Sequence, residues 1–221
     1  AEAYQIDVET IVDGLAHPWA LAFIDEDRFI VTERDTGHIR IGTVGGDLSD
    51  PLHGSPEVFR YEGETERSQA GLFDVKLHPD FDENEYVYFS YSKPTERGAA
   101  VAIDRARLVF DNGEASLEDV ETIFEMQEDD QDSSGLHFGG RMAFDPEDNS
   151  IYLTIGDRRN ISRSQDAADQ AGSVLRMTDE GEPHGDAPFI AAEWAEEGEP
   201  NEYIFAMGKR NPQGIAFHPH T

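Results

Sequence analysis

Residues 69–92 read QAGLFDVKLHPDFDENEYVYFSYS: one apolar run, a turn built from Pro79, Asp80 and Asn84, and a second run rich in aromatics. Short β-branched or aromatic stretches separated by Pro, Asp and Asn are the pattern of two strands joined by a turn. The pattern recurs as HPWALAFIDED (17–27), FGGRMAFDPEDN (138–149) and NPQGIAFHPHT (211–221). Superposing Phe23, Leu77, Phe144 and Phe217 leaves intervals of 54, 67 and 73 residues. In the first three copies a second strand follows at once, as RFIVTE, EYVYFSYS and SIYLTIGD.

Each unit thus has an inner strand, a Pro/Asp turn, a second strand, and room for two more strands and a long loop. Four-stranded units repeated along a chain are the signature of β-propeller blades, and long loops on such a scaffold carry function. The expectation is an all-β chain with 1–221 as a single propeller domain. Three units are complete and a fourth begins at NPQGIAFHPHT, so the chain reads as the N-terminal part of a longer protein, incomplete at its C-terminus. Helix signals are sparse, and the best is SQDAADQAGSVLRM (164–177), where Ser164 is placed to cap a short turn or helix.

The chain carries 47 acidic and 17 basic residues, and its net charge of −30 opposes binding to nucleic acid or anionic membranes. Dense carboxylates keep a surface hydrated where salt screens their repulsion, which points to a halophilic source. No apolar run approaches the roughly 20 residues of a membrane helix, so no membrane span is expected. The start, AEAYQIDVET, has neither a basic nor an apolar signal region, so a leader was either absent or already removed. The absence of cysteine excludes disulfides and thiolate chemistry.

Polar residues gather where the inner strands begin: Gln69, His137, Arg210, Asn211 and Gln213, with Asp157 closing the second strand of the third unit. Inner strands of a propeller run the same way, so their starts converge at one mouth. Gly71, Gly139, Gly140 and Gly214 would let a flat ligand lie against backbone there. Against this, a lone histidine at a strand start is more often structural, and GDRRN (156–160) reads equally as a turn with Arg158 and Arg159 solvated. His78 and His218 occupy the repeat position of Asp145, which marks a turn role. No HxH, HExxH, P-loop or dinucleotide fingerprint occurs.

Taken in order, GLAHPWALAFI, QAGLFDVKLHPDF, YVYFSYS, HFGGRMAFDPED, IYLTIGDRRN, LRMTDEGEPHGDAPF and MGKRNPQGIAFHP resemble the soluble quinoprotein aldose sugar dehydrogenases, PQQ-dependent relatives of soluble glucose dehydrogenase. The resemblance implies a six-bladed β-propeller, of which this chain covers roughly the first three blades and the start of the fourth. It implies oxidation of aldoses at C1 to lactones, with hydride passing to PQQ and electrons to an external acceptor. By position, His137 matches the catalytic base, Asp157 the carboxylate supporting it, and Arg210 the cation beside the quinone oxygens. Asn211 and Gln69 match polar residues around the PQQ plane, and Gln213 lies in the same RNPQG motif. Ca²⁺ is implied as well, with its ligands expected beyond residue 221; no metal ligand is assigned within the chain. An extracellular or periplasm-like location follows from the same resemblance. Two other readings stand beside it: a non-catalytic propeller that serves as a binding module, and a calcium-dependent lactonase-like hydrolase.

Overall fold

A computed structural model of the protein describes residues 6–61, 63, 68–185 and 199–218. Among these, eleven strands form three antiparallel sheets, with a single short α-helix, α1 (Phe81–Asn84). The first sheet joins β1 (Pro18–Phe23), β2 (Arg28–Glu33) and β3 (His38–Thr43). The second joins β4 (Leu72–Leu77), β5 (Tyr86–Thr95), β6 (Gly98–Asp111) and β7 (Glu114–Glu125). The third joins β8 (Gly139–Phe144), β9 (Ile151–Ile155), β10 (Val174–Met177) and β11 (Ile204–Ala206). Strands lie in chain order within each sheet, and the inner strands meet across sheets, β1 against β4 and β4 against β8. No helix among the described residues is long and apolar enough to cross a membrane.

In the middle sheet β5 and the first half of β6 are buried on both faces, which is why they read as nearly continuous hydrophobic runs. Phe73, Tyr88, Val101 and Ile103 pack towards the third sheet, into a core with Phe138, Met142 and Leu153. Leu72, Val75, Val87, Phe89 and Leu108 pack towards the first, with Ile30, Ile39 and Ile41. The outer strand β7 carries Glu118, Asp119, Glu121 and Glu125, an acidic edge that discourages pairing with another chain.

The repeat has a physical basis in the inner strands. Register breaks in all three, between Pro18 and Ala20, Leu72 and Val75, and Gly139 and Met142. Such a bulge leaves a backbone N–H without its ladder partner, and one hydroxyl on the second strand takes it each time. Thr32 Oγ1 accepts from Ala20 N–H (3.1 Å), Ser90 Oγ from Asp74 N–H (3.1 Å), and Thr154 Oγ1 from Arg141 N–H (3.0 Å). Thr32 then donates to Phe73 O on the next inner strand (2.6 Å), and Ser90 to Gly140 O (2.5 Å). The buried Asp74 carboxylate adds a second tie between β4 and β8, accepting from Met142 N–H (2.8 Å) and the Arg141 guanidinium (3.0 Å). Burial raises its proton affinity above that of an ordinary carboxylate.

The shared turn role of His78 and Asp145 is visible in their bonds. His78 Nδ1 accepts from Asp80 N–H (3.0 Å), and Asp145 Oδ1 accepts from Glu147 N–H (2.9 Å).

Three expectations need correction. Among the described residues the first unit has three strands, not four: residues 48–52 run back along β3, with Ser49 and Leu52 donating to Ile41 and Ile39, but they form no fourth ladder. Pro51 contributes no N–H there. Ser164 does not cap a helix. It lies inside a 3₁₀ turn, Arg163–Gln165, and its hydroxyl donates to Ile161 O (2.9 Å). The following aspartates capture backbone N–H groups locally, Asp166 from Ala168 and Asp169 from Ala171, which favours turns over helix, and Val174–Met177 become a strand. Residues 211–218, read as the first strand of a fourth unit, contain no strand; among the described residues they have no partner ladder to join.

Candidate functional site

Gly139 on β8 faces Ile155 on β9, so the chain entering β8 and the chain leaving β9 lie side by side. His137 is two residues before the first and Asp157 two residues after the second. Their side chains meet: His137 Nδ1 is 2.6 Å from Asp157 Oδ1, and both residues are buried. With the carboxylate as acceptor, Nδ1 is the donating nitrogen, and in the neutral imidazole Nε2 carries the lone pair. Asp157 Oδ1 also accepts from Arg159 N–H (2.9 Å).

Two carboxamides from distant segments join this pair. Gln69 Oε1 accepts from His137 N–H (2.8 Å) and from Asn211 Nδ2 (3.4 Å), while Asn211 Oδ1 accepts from Gly139 N–H (3.2 Å). Asp157 N–H donates to Arg210 O (2.8 Å). Residues 69, 137, 157, 210 and 211 therefore form one hydrogen-bonded group although the outermost pair is 142 positions apart. The Arg210 side chain is exposed and makes no ion pair among the described residues. Gln213 is exposed, and the bond it contributes, through its carbonyl to Arg141 Nε (3.2 Å), lies outside the group.

The backbone here is strained. His137 has φ 55°, Arg158 52° and Arg159 70°, all in the left-handed region that non-glycine residues avoid. Each such residue costs about 1–3 kcal/mol and persists where its surroundings over-determine it, commonly at functional sites.

Three of the four glycines near the strand starts have a packing role. A Cβ on Gly71 would strike Arg34 O; on Gly139 it would come 2.6 Å from Thr154 O, and on Gly140 2.5 Å from the Phe73 ring. At those three positions the missing Cβ lets the protein pack closely on itself. At Gly214 nothing lies within 4 Å of an added Cβ.

Arg158 is the residue that sequence reasoning missed. It is 3% exposed rather than solvated, whereas Arg159 is exposed as expected. Nothing in the doublet Arg158-Arg159 distinguishes the two; Arg158 is buried because its guanidinium reaches Leu136 O, Ser134 O and the Phe138 ring. Burial pushes the Arg158 guanidinium down to about 10, so it stays cationic at neutral pH. Among the described residues no cluster of three or more His, Asp or Glu is arranged to hold a metal ion.

Residues 15–221 match the family model described as Glucose / Sorbosone dehydrogenase. Over 97% of its length the chain is 34% identical to the aldose sugar dehydrogenase YliI of Escherichia coli (strain K12), covering 54% of that protein. The crystal structure of the soluble E. coli aldose sugar dehydrogenase in its apo-form superposes with a TM-score of 0.82 at 34% identity, over 96% of this chain and 57% of that one. The PQQ-bound aldose sugar dehydrogenase of Streptomyces coelicolor gives 0.70 at 26% identity, over 92% and 54%. The chain spans about half the length of the relatives it matches.

Proposed function

The chain belongs to the glucose and sorbosone dehydrogenase family, and from that premise we propose that it forms part of a PQQ-dependent sugar dehydrogenase. In this reading the enzyme oxidises aldoses at C1 to lactones and hands electrons to an external acceptor. The observation that carries it is the His137–Asp157 pair at 2.6 Å, held in strained backbone by Gln69. The turn histidine His78 spends its Nδ1 lone pair on the Asp80 N–H, whereas His137 is engaged through Nδ1 by a buried carboxylate, which leaves Nε2 to act as a base.

The residues suit a planar quinone bearing carboxylates. Arg210 offers an exposed guanidinium, Gln69 offers its Nε2 amide, and Asn211 offers the second N–H of an Nδ2 whose first bonds Gln69. These, with Gln213, would hold PQQ, which when bound supplies an electrophilic quinone that accepts two electrons. His137 Nε2 takes the proton of the sugar C1 hydroxyl, and a positioned base of this kind contributes about 10²–10⁴-fold. Asp157 holds the imidazole in the Nδ1–H tautomer and stabilises the imidazolium as it forms. Arg210 sets a fixed positive charge where negative charge develops. Calcium belongs to the same reading, and the described residues provide no carboxylate or histidine cluster for it.

The wider frame of the proposal is a single six-bladed propeller in a secreted or periplasm-like protein, with 1–221 supplying three blades and the start of a fourth. The charge of −30 suits a high-salt milieu.

The test uses the full-length protein with PQQ, Ca²⁺ and high salt, following dye reduction with several aldoses. Turnover that falls at least a hundredfold in His137→Ala, with quinone absorbance retained after desalting, supports the reading. Retained quinone without turnover in the unmutated protein favours the binding-module alternative.

A further inference from the structure

The loop that carries His137 is clamped from two sides. Gln69 holds one, its N–H donating to Gly135 O (2.7 Å) and its Oε1 accepting from His137 N–H. Arg158 holds the other. Its guanidinium donates to Leu136 O (2.8 Å) and Ser134 O (2.5 Å), and lies 3.5 Å above the Phe138 ring. Asp132 Oδ1, 3.3 Å away, is its ion-pair partner, and that carboxylate is steadied in turn by Arg163 at 2.6 Å. The Arg158 side chain is 1% exposed.

We propose that Arg158 is a positioning residue for the base, fixing the left-handed conformation of His137 by gripping the residues on either side of it. The assignment rests on the reading of His137 as the base. Each contact has a geometric reason. Two carbonyls two residues apart require a forked donor, and the flat guanidinium stacks on Phe138 while it bridges them. A lysine has one compact ammonium and meets neither condition. Because Arg158 immediately follows Asp157, the same short turn delivers the carboxylate to Nδ1 and the guanidinium to the loop behind the ring. The two halves of the pair are thereby set relative to one another.

Arg158→Met and Arg158→Lys in the full-length protein test this. The expected result for both is a kcat about 10²-fold lower, as for a reacting group displaced by about an ångström, with sugar KM and retained quinone within about threefold. The apo protein gives a readout independent of turnover, the downfield imidazole N–H proton of His137 hydrogen-bonded to Asp157. That proton should broaden or vanish in both variants while far-UV circular dichroism stays native. Addition of guanidinium ion to Arg158→Ala should restore part of the activity and the resonance. An unchanged resonance in folded variants overturns the proposal, as does activity lost only in proportion to the unfolded fraction. Should the unmutated protein show no PQQ-dependent turnover, the catalytic reading falls and the resonance alone decides whether Arg158 sets the His137–Asp157 pair.

Discussion

Gly139→Ala puts a methyl group where β8 and β9 are closest. The added Cβ would sit 2.6 Å from Thr154 O, 2.9 Å from Thr154 C and 3.0 Å from Ile155 Cα, all backbone of β9. No rotamer change relieves contact with backbone, so the strands must separate by about 0.8 Å for that carbonyl to reach the ordinary 3.4 Å. His137 rides on the start of β8 and Asp157 on the end of β9, so their 2.6 Å bond opens towards 3.4 Å. A hydrogen bond to a charged group contributes about 1.5–3 kcal/mol, and stretching it to that length forfeits part of this, which lowers kcat by up to about a hundredfold. Stability falls as well: φ at Gly139 is 72°, and left-handed backbone for alanine costs about 1–2 kcal/mol before overpacking is counted. The assay is kcat and KM by dye reduction on the full-length protein, with thermal unfolding measured alongside. Gly45→Ala, whose methyl would meet only Thr43 Oγ1 at 3.5 Å, serves as the control. A kcat within twofold of the parent, despite a lowered melting temperature, would refute the argument that this pair must stay closed.

Other perturbations probe the fold. Thr32→Val keeps the shape of a fully buried side chain but strands Ala20 N–H and Phe73 O, and should cost about 2–4 kcal/mol in denaturant unfolding; a loss below 1 kcal/mol would mean the hydroxyl tie is incidental. Burial, with Asp169 beside it, pushes Asp130 up to about 7. The folded protein then keeps this proton to higher pH than the unfolded chain, so stability falls as pH climbs from about 4 to 7 and is flat above. Asp130→Asn, which can still accept from Gln170 N–H, should gain stability over the parent at pH 8 and little at pH 4; equal differences at both values would contradict the assignment.

Much of the scaffold was legible because it depends on local chemistry. Alternating apolar residues around Pro/Asp turns specify hairpins, and superposing Phe23, Leu77 and Phe144 aligns Ala20, Asp74 and Arg141, the three N–H donors at the bulges. A repeat in sequence thus reports a repeat in hydrogen bonding. The errors fall where non-local terms decide. VLRM at 174–177 is periodic enough for helix or strand, and a waiting partner in β9 made it a strand. Residues 211–218 share the inner-strand pattern but form no strand.

At the site the division is sharper. Sequence by itself determined which residue types gather at the strand starts, and through resemblance it singled out His137, Asp157, Arg210, Asn211 and Gln69. It could not determine which imidazole nitrogen is engaged, because that depends on a 2.6 Å contact between two strand ends. Nor could it separate Arg158 from Arg159, chemically identical neighbours of which one is buried against Phe138 and the other faces water. Composition and spacing are properties of the chain alone. Tautomer, burial and the direction of a side chain are set by whatever the rest of the fold brings within a few ångströms, and only the tertiary structure supplies that.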